Sequence, residues 1–542
     1  MQENQPTTKR KKRIPLANVA LLLIVAAFIG QILGFLRTKL VNANYPLTGP
    51  DSTDAYFAAF NIPDFFFYTI AAGVLGVAFI PVLSDRLAHR DRKGMWDLSS
   101  SLLNLLTIIM GAVGAIIFIY AEPLVHHIVA PKMTGEQLHT TVFIMRCLAL
   151  NPMLFTISGI LTSVQQTLGR FFFYAIAPMF YNLAIIASIY LFPCNQSNGY
   201  CQPGSLGLKA LGIGAFAGGV IQLLVVIIGL FGTHFRWRPK IMWRSGDFRT
   251  VLRQLPPRSI DQGIDQVQTI VETNVANRLG PGVVSHYNNA YILQTAPVML
   301  VGTAIATAAF PRLTARLSQG RPDLFRRDFL RVLRFMIWVT IPIVIIAYLC
   351  RGYLARLIFA QGSKQIALIF GYLAMAIFFR TMYAIISRWF YAQKDTKTPL
   401  FVSIFTIALN VVLAVTLGRP TTYGAAGLAL SVSLAAAAEV AVLSGIMVYR
   451  DRGLLNMEFW GGVGRAISVG GFSMLACYLT VSSLQLNLED RGIITLGSKL
   501  AIIVGATFAV HIAISGLFGL EEVRPIFAWV KRVVLRPIRG AY

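Results

Sequence analysis

Charged side chains interrupt some of the most apolar sequence in this chain. Residues 31–81 are rich in Phe, Ala and Ile, yet they include Arg37, Lys39, Asp54 and Asp64. A charge at membrane depth is costly, so such residues tend to face the interior of a helix bundle or a water-filled cavity. We therefore interpret this stretch as one wall of a translocation path.

Three of these charges each have two interpretations. Arg37 closes the first apolar run, so it could reach back to the membrane surface or bind an anion in a central cavity. Asp54 opens the next apolar run, where a carboxylate could stabilise the positive end of its own helix or take part in the path. Asp64 follows Pro63 and could be structural or a polar group of the cavity.

A second polar set lies on a single helical stripe. Asp261, Asp265, Gln268 and Glu272 are separated by four, three and four positions, and Arg258 precedes them by about one turn. Such spacing places them on one face of a helix. The helix could rest on the membrane surface. Alternatively, the stripe could face a water-filled cavity, where its carboxylates would bind a cation, take up protons or offset arginines.

Three further polar residues lie within later apolar segments. We interpret Arg380 as facing the interior of the bundle, because it lies deep in its segment. Asn410 and Glu439 are lone polar groups in theirs. For these two, hydrogen bonding between helices is the favoured interpretation.

The elements that must position these residues are membrane helices. Hydrophobic residues make up 56% of the 542 and charged residues 13%, whereas soluble domains carry about a quarter charged residues. The net charge of +25 favours anionic membrane lipids over nucleic acid as partners, because most basic clusters fall in loops on one side. We find no phosphate-binding loop, metal-ligand spacing or nucleophile–base pairing, so we expect neither an enzyme nor a bound cofactor.

Fourteen segments predict membrane spans, each near the length that a bilayer requires. They are residues 16–36, 55–83, 102–120, 142–164, 171–192, 208–231, 260–278, 290–310, 335–349, 366–390, 399–417, 424–448, 463–484 and 496–517. The seventh is much the weakest. Basic clusters follow mainly the even-numbered spans, which predicts that both termini are cytoplasmic. Without the seventh span, later basic loops would fall outside.

An internal repeat organises these spans. AFIPVLSDRL (residues 78–87) resembles AAFPRLTARL (residues 308–317), and other pairs keep an offset of about 220–230 residues. The predicted fold is an all-α polytopic membrane protein with two pseudo-symmetric six-helix lobes and two C-terminal helices, with the substrate path between the lobes. The predicted parts are a basic tail (1–15), an N-lobe (16–231), a basic linker (232–257), a C-lobe (258–448), the last two spans (449–517) and a second basic tail (518–542).

Two of the five cysteines share one short loop. Cys194 and Cys201 lie in FPCNQSNGYCQPG, which the predicted topology places outside the cell. A disulfide is plausible in an oxidising compartment. Free thiols are the alternative, because the spacing alone does not fix the loop geometry.

Several motifs together resemble one transporter family. LGFLR (residues 33–37), TDAYFAAFNIPD (53–64) and RWFYAQKDTKTP (388–399) are similar to segments of the MurJ/MviN lipid II flippases, which belong to the MOP exporter superfamily. The resemblance implies a protein of the bacterial inner membrane that moves undecaprenyl-pyrophosphate-linked peptidoglycan precursor from the inner to the outer leaflet. It further implies alternating access driven by an ion gradient or the membrane potential, and a groove for the lipid tail at the last two spans.

The resemblance carries over only some of the family's site residues. Family substrate positions fall on Arg37, Asp54 and Ser285, and possible sodium ligands fall near Glu272 and Asn410, with another such position on Ala414. Other charged family positions hold uncharged residues here, namely Gln31, Thr38, Phe67, Tyr68, Ala72, Ile292 and Thr295. Arg258 or Arg380 could supply the missing charge, and a sodium ion or a proton could couple transport.

Two other functions fit the same sequence. One is a flippase for a different polyprenyl-linked glycan, or a cation-coupled exporter of the same superfamily, which the replaced charges favour. The other is a scaffold for cell-wall synthesis proteins that has lost transport. We expect the chain to act as a monomer.

Overall fold

The computed structural model describes residues 16–72, 79–194, 196–197, 200–201, 206–359, 362–487, 490 and 492–524. Side chains are described for all of these except 16–21, 24, 71–72, 196–197, 200, 254–262 and 493. The first predicted basic tail and most of the second therefore lie outside the described residues.

Almost all of the described chain is helical, because a helix satisfies its own backbone hydrogen bonds where lipid offers none. The α-helices are α1 (Leu16–Asn44), α2 (Thr53–Phe66), α3 (Ile80–Ala88), α4 (Arg92–Ile119), α5 (Ala121–Pro123), α6 (Gly135–Leu148), α7 (Asn151–Thr167), α8 (Phe172–Leu191), α9 (Lys209–Ile228), α10 (Gly246–Leu279), α11 (Val283–Pro297), α12 (Ala304–Ser318), α13 (Pro322–Leu349), α14 (Arg351–Ile358), α15 (Ser363–Ala392), α16 (Lys397–Leu417), α17 (Gly424–Arg450), α18 (Met457–Ser483) and α19 (Ile493–Leu517). Within the described residues, the π-helical segments with defined bounds are Phe67–Ala72, Leu124–Val129 and Val298–Thr303.

The predicted class of all-α polytopic membrane protein is confirmed. Within the described residues, eleven helical segments are long and apolar enough to cross a membrane. The total of fourteen stays a prediction, because α1, α2 and α10 are not among the eleven. α1 continues to Asn44, past the predicted end at residue 36. α10 begins at Gly246, so the second half of the predicted linker is helical.

The helices repeat with the offset that the sequence predicts. α4 and α13 are both 28 residues long and begin 230 positions apart. The π-helical segments Phe67–Ala72 and Val298–Thr303 are 231 positions apart, and each interrupts the second predicted span of its repeat. We refer to α1–α9 as the N-lobe and to α10–α17 as the C-lobe.

Polar and aromatic contacts attach the two C-terminal helices to the C-lobe. Arg334 of α13 pairs with Glu522 just after α19, at 2.7 Å. Trp338 donates from Nε1 to Ser515 Oγ at 2.8 Å. The opposite surface of α18 is apolar and exposed, with Phe472, Leu475, Tyr478 and Leu479 among its residues. This surface is available for contact with lipid.

The disulfide that the sequence leaves open is present. Cys194 and Cys201 are bonded across a small hairpin in which β1 (Gln196–Ser197) pairs antiparallel with β2 (Tyr200–Cys201). The backbone N–H of Cys201 donates to Asp51 at 3.2 Å, so the hairpin is tied to the loop between α1 and α2.

Candidate functional site

A cavity of about 620 Å³ lies in the N-lobe. Helices α1, α2, α7, α8 and α9 form its walls, and Asn288 and Ile292 of α11 border it from the C-lobe. Arg37 and Asp64 are the charged residues among its described lining. The cavity therefore faces the boundary between the lobes, where the repeat places a substrate path.

Arg37 is positioned by the length of α1. The helix continues for about two turns beyond it, so Arg37 is inside the helix rather than at its end. Its side chain lines the cavity and interacts electrostatically with Asp64, Tyr56 and Tyr181. This placement favours the anion-contact interpretation over a side chain at the membrane surface.

Aromatic rings form most of the remaining cavity wall. Phe155 is in edge-to-face contact with Phe67 and with Tyr181, with ring centroids 5.6 Å and 5.3 Å apart. Phe67 and Tyr68 occupy positions where the family resemblance implies an arginine pair. The described lining consequently offers one cation and many ring faces, so it differs in chemistry from the expected cationic cavity.

Asp54 connects the two lobes. Its carboxylate accepts hydrogen bonds from the backbone N–H groups of Gly282 at 2.6 Å and Ser285 at 2.7 Å, and the residue is 1% exposed. Gly282 precedes α11 with φ +82°, a conformation that glycine adopts without strain. Asp54 therefore caps the N-terminus of α11 in the other lobe, not only its own helix.

Further buried hydrogen bonds surround this cap. The hydroxyl groups of Thr53 and Ser285 are 2.7 Å apart. The amides of Asn42 and Asn289 donate to each other at 2.8 Å and 3.1 Å. We call these lobe-to-lobe contacts the lobe gate, and its members are Asn42, Thr53, Asp54, Gly282, Ser285 and Asn289.

Further contacts between the lobes lie beside the lobe gate, at the same end of the bundle. Lys132 Nζ donates to the backbone oxygen of Arg278 at 2.6 Å, and Asn274 donates to the backbone oxygen of Ile128 at 2.6 Å. This gate end is where α1 and α10 finish and α2 and α11 begin. At this end the lobes are closed on one another.

A polar cluster lies inside the C-lobe. Glu272 is 4% exposed and accepts from Gln268 at 2.7 Å and from the Tyr287 hydroxyl at 2.8 Å. With its amide oriented to satisfy both atoms, Asn410 donates to Glu272 at 3.2 Å and accepts from the backbone N–H of Val432 at 3.2 Å. The sequence thus identified two residues, Glu272 and Asn410, that are direct neighbours.

Arg380 belongs to this cluster rather than to the cavity. Its charge interacts with those of Glu272, Glu439 and Asp265, and Ser403 donates to Glu439 at 2.6 Å. Arg380 therefore balances carboxylates inside the C-lobe, and it is not among the described cavity lining.

The residues of the predicted acidic stripe differ in burial. Gln268 and Glu272 are buried, whereas Asp265 is exposed. The side chains of Arg258 and Asp261 lie outside the described residues, so their predicted roles stay predictions.

The oxygens of Glu272 and Asn410 are among the described groups of this cluster that a cation could contact. A hard cation needs several oxygen ligands, but Ala414 supplies none at its position, and the described oxygens of Glu272 and Asn410 are already hydrogen-bonded. Among the described residues, no group of three or more His, Cys, Asp or Glu side chains could hold a metal ion.

Sequence reasoning missed Asn42, Thr53, Gly282 and Asn289 of the lobe gate. Asn42 falls beyond the predicted end of the first span, because the polar residues near it lower the local hydropathy. Thr53 lies 232 positions from its partner Ser285, and Asn42 lies 247 positions from its partner Asn289. The available signal was the run of small polar side chains, Ser52-Thr53 and Asn288-Asn289, at the starts of two repeat-related spans.

Comparison with known proteins agrees with this architecture. The family model described as "Lipid II flippase MurJ" matches residues 49–488. The probable lipid II flippase MurJ of Rhizobium meliloti (strain 1021) is 24% identical over 520 residues, which cover 93% of this chain and 94% of that protein. The probable lipid II flippase MurJ of Borreliella burgdorferi is 23% identical over 401 residues, which cover 73% of this chain and 76% of that protein.

Solved structures of two transporter types share the fold. A lipid II flippase MurJ in an inward closed conformation has a TM-score of 0.75 at 19% identity and covers 93% of this chain and 100% of its own. An inward-facing multidrug resistance MATE family transporter of the MOP superfamily has a TM-score of 0.65 at 15% identity, covering 80% and 98%. Because the family model matches most of the sequence, the chain belongs to the lipid II flippase MurJ family, which comprises transporters rather than enzymes.

Proposed function

We propose that this chain moves lipid II, the undecaprenyl-pyrophosphate-linked peptidoglycan precursor, from the inner to the outer leaflet of the bacterial cytoplasmic membrane. One observation carries the proposal: the cavity of about 620 Å³ that contains Arg37 borders the C-lobe, and the lobes are joined at one end by the lobe gate. A cavity between two repeat-related lobes, closed at one end, is the arrangement that alternating access requires.

The orientation follows from the basic loops. Clusters of Lys and Arg follow mainly the even-numbered spans, so the positive-inside bias places both termini in the cytoplasm. The gate end then faces outward. In this orientation the lobe gate would close the outward end of the path.

Arg37 would contact the pyrophosphate. A guanidinium binds phosphate oxygens through two parallel hydrogen bonds, and the attraction is stronger in a cavity than in bulk water. Asp64 would serve as the counter-charge while the cavity is empty. A dianionic ligand would then replace one carboxylate as the partner of Arg37.

The aromatic wall would receive the rest of the headgroup. Ring faces bury the apolar faces of sugars without adding charge. Tyr56, Tyr68, Tyr174 and Tyr181 of the lining also carry hydroxyl groups that can donate to sugar oxygens. The wall could thus supply binding free energy that the family's missing arginines would otherwise provide.

The lobe gate would open during the transport cycle. It consists mainly of hydrogen bonds rather than salt bridges, and each neutral bond contributes about 1 kcal/mol net because water can replace the lost partner. Such a gate holds the lobes closed, yet substrate binding can supply enough free energy to release it.

Glu272 would couple transport to protons. Glu272 lies on α10, the helix that ends at the gate. Its carboxylate is buried against Gln268, Tyr287 and Asn410. Replacing Glu272 with glutamine should reduce outward lipid II movement by about tenfold, because the amide cannot exchange a proton. The residual rate should no longer respond to collapse of the proton gradient in cells.

The matched control for this prediction is Glu458→Gln, which changes an exposed carboxylate at the start of α18. It should leave both the rate and its gradient dependence unchanged. A Glu272→Gln protein that still slows when the gradient collapses would exclude Glu272 as the coupling group. If the Glu272→Gln protein lost its response to a sodium gradient but kept its response to the proton gradient, sodium would be favoured as the coupling ion.

Complementation tests the proposed function. The chain is expressed in a rod-shaped bacterium depleted of its own lipid II flippase, and lipid II exposed on the outer leaflet is assayed. We expect restored growth and restored exposure. Failure despite correct membrane insertion would contradict the assignment of lipid II as substrate.

A second candidate is a flippase for another polyprenyl-linked glycan. Phe67, Tyr68 and Ile292 line the cavity where the family resemblance implies charged residues, and this favours a headgroup richer in sugar. Rescue of a strain depleted of a different polyprenyl-glycan flippase, without rescue of lipid II exposure, would support this candidate.

A further inference from the structure

A second cavity, of about 270 Å³, opens near the gate end of the C-lobe. It lies between α14, the start of α15 and the segment after α18. Its charged lining residues in the described chain are Arg351, Arg356 and Lys364, accompanied by Ser363, Leu368 and Leu486. Neither the family resemblance nor the transport path assigns a role to this cavity.

Two of the three cations are held in place. Arg351 Nη1 donates to the backbone oxygen of Tyr348 at 2.7 Å, and its guanidinium lies 4.7 Å from the centre of the Tyr348 ring. Arg356 Nη1 donates to the backbone oxygen of Asn487 at 2.6 Å. A guanidinium has five N–H donors, so each arginine keeps donors for a ligand.

The positive charge of this cavity is not neutralised by salt bridges. Within the described part of the chain, no ion pair closer than 4.0 Å involves Arg351, Arg356 or Lys364. Asp490 interacts electrostatically with Arg356, but it is paired with Lys499 at 2.6 Å. Among the described residues that line the cavity, the charged side chains are therefore all cations.

These cations stand out against the other connections of the same face. Gly362 packs against Leu47 and His286, which places the start of α15 at the gate end. Among the other connections predicted on this face, residues 193–207 and 280–289 contain no Lys or Arg, and residues 121–141, 418–423 and 485–495 contain one each. Because the positive-inside bias disfavours cations on an outer face, a cluster of three there suggests that an anion binds them.

An apolar surface continues from the cavity along α15. Leu368, Tyr372 and Met375 are 55%, 38% and 51% exposed, and their spacing of four and three places them on one helical stripe. Tyr348 of α13 is also 47% exposed. Hydrocarbon chains of a membrane lipid would cover this stripe while its headgroup reaches the cations.

We propose that this cavity binds the phosphate group of an anionic phospholipid. Arg351, Arg356 and Lys364 contact the phosphate, and the acyl chains lie along the stripe of Leu368, Tyr372 and Met375. The binding itself does not depend on lipid II transport. Its assignment to the outer leaflet and the argument from the positive-inside bias rest on the orientation proposed above.

Lipid retention by the purified full-length chain tests this site. The protein is titrated in detergent with phosphatidylglycerol or phosphatidylcholine, and the bound lipid is measured by native mass spectrometry. Phosphatidylglycerol should bind more tightly than phosphatidylcholine. The double variant Arg356→Gln/Lys364→Gln should weaken phosphatidylglycerol binding by about tenfold or more, given the contribution of each cation at a membrane surface.

Two further variants control for folding and for general charge. Lys364 is exposed, so Lys364→Gln alone preserves the fold and should weaken binding by about threefold. Arg419→Gln removes an exposed cation from a neighbouring connection and should have no effect. Equal binding of both lipids, or unchanged phosphatidylglycerol binding in the double variant, would overturn the proposal. If millimolar inorganic phosphate displaced phosphatidylglycerol, the ligand of this site would be a soluble anion rather than a phospholipid, and the proposal would be overturned.

Discussion

Replacing Arg37 with alanine should reduce outward lipid II movement by roughly 100-fold, because it removes the charged contact expected for a buried pyrophosphate. Arg37→Lys should retain part of the activity, with a loss of about tenfold, since an ammonium keeps the charge but cannot form the paired hydrogen bonds. The measurement is lipid II exposure on the outer leaflet at matched protein levels.

Lys39 provides the matched control for this substitution. It lies two positions further along α1, so it projects from a different face of the helix, and it is not among the described cavity lining. Lys39→Ala should flip lipid II at the wild-type rate. Equal losses for Arg37→Ala and Lys39→Ala would remove Arg37 from the substrate path and point to the basic charge of α1 as a whole.

Replacing Asp54 with asparagine should lower lipid II movement by about tenfold or more through the lobe gate. The carboxylate accepts two backbone N–H bonds from the start of α11, and bonds to a charged acceptor contribute about 1.5–3 kcal/mol each. An amide removes the charge and brings an N–H group toward one of these donors. The closed state would lose population, and a transporter that cannot close one side cannot complete its cycle.

Accessibility of the gate end separates this effect from a folding defect. A cysteine introduced at Asn289, whose native side chain is buried, should react with a membrane-impermeant thiol reagent faster in the Asp54→Asn background. Asp51→Asn is the control, since Asp51 bonds to Cys201 of the N-lobe hairpin rather than to the other lobe. Unchanged labelling together with normal flipping would mean that Asp54 caps α11 without controlling the gate.

Most of the helical architecture could be predicted from sequence, because spans and repeats leave local signals. The offset of 220–230 residues anticipated the 230 positions between α4 and α13. The end of α1 was harder to predict from the sequence. Lys39, Asn42 and Asn44 reduce the hydropathy there, although tertiary contacts keep the segment helical to Asn44.

The candidate site was predicted only in part, because its partners are far apart in sequence. Arg37, Asp54 and Ser285 were grouped by resemblance, but Arg37 lines the cavity, while Asp54 and Ser285 are buried in the lobe gate. The bond between Asp54 and Gly282 spans 228 positions. Periodicity along a single helix carries no information about such a pairing.

A reversible cross-link across the lobe gate tests alternating access most directly. The hydroxyls of Thr53 and Ser285 are 2.7 Å apart, so the pair Thr53→Cys/Ser285→Cys is close enough for a disulfide with a small backbone adjustment. Lipid II exposure is measured in cells before oxidation, after oxidation and after reduction. The single-cysteine variants and the wild type, which contains the Cys194–Cys201 disulfide, receive the same treatments. We predict that oxidation stops lipid II movement only in the double variant and that reduction restores it. A cross-linked protein that moves lipid II at the wild-type rate would contradict a transport cycle in which this gate must open.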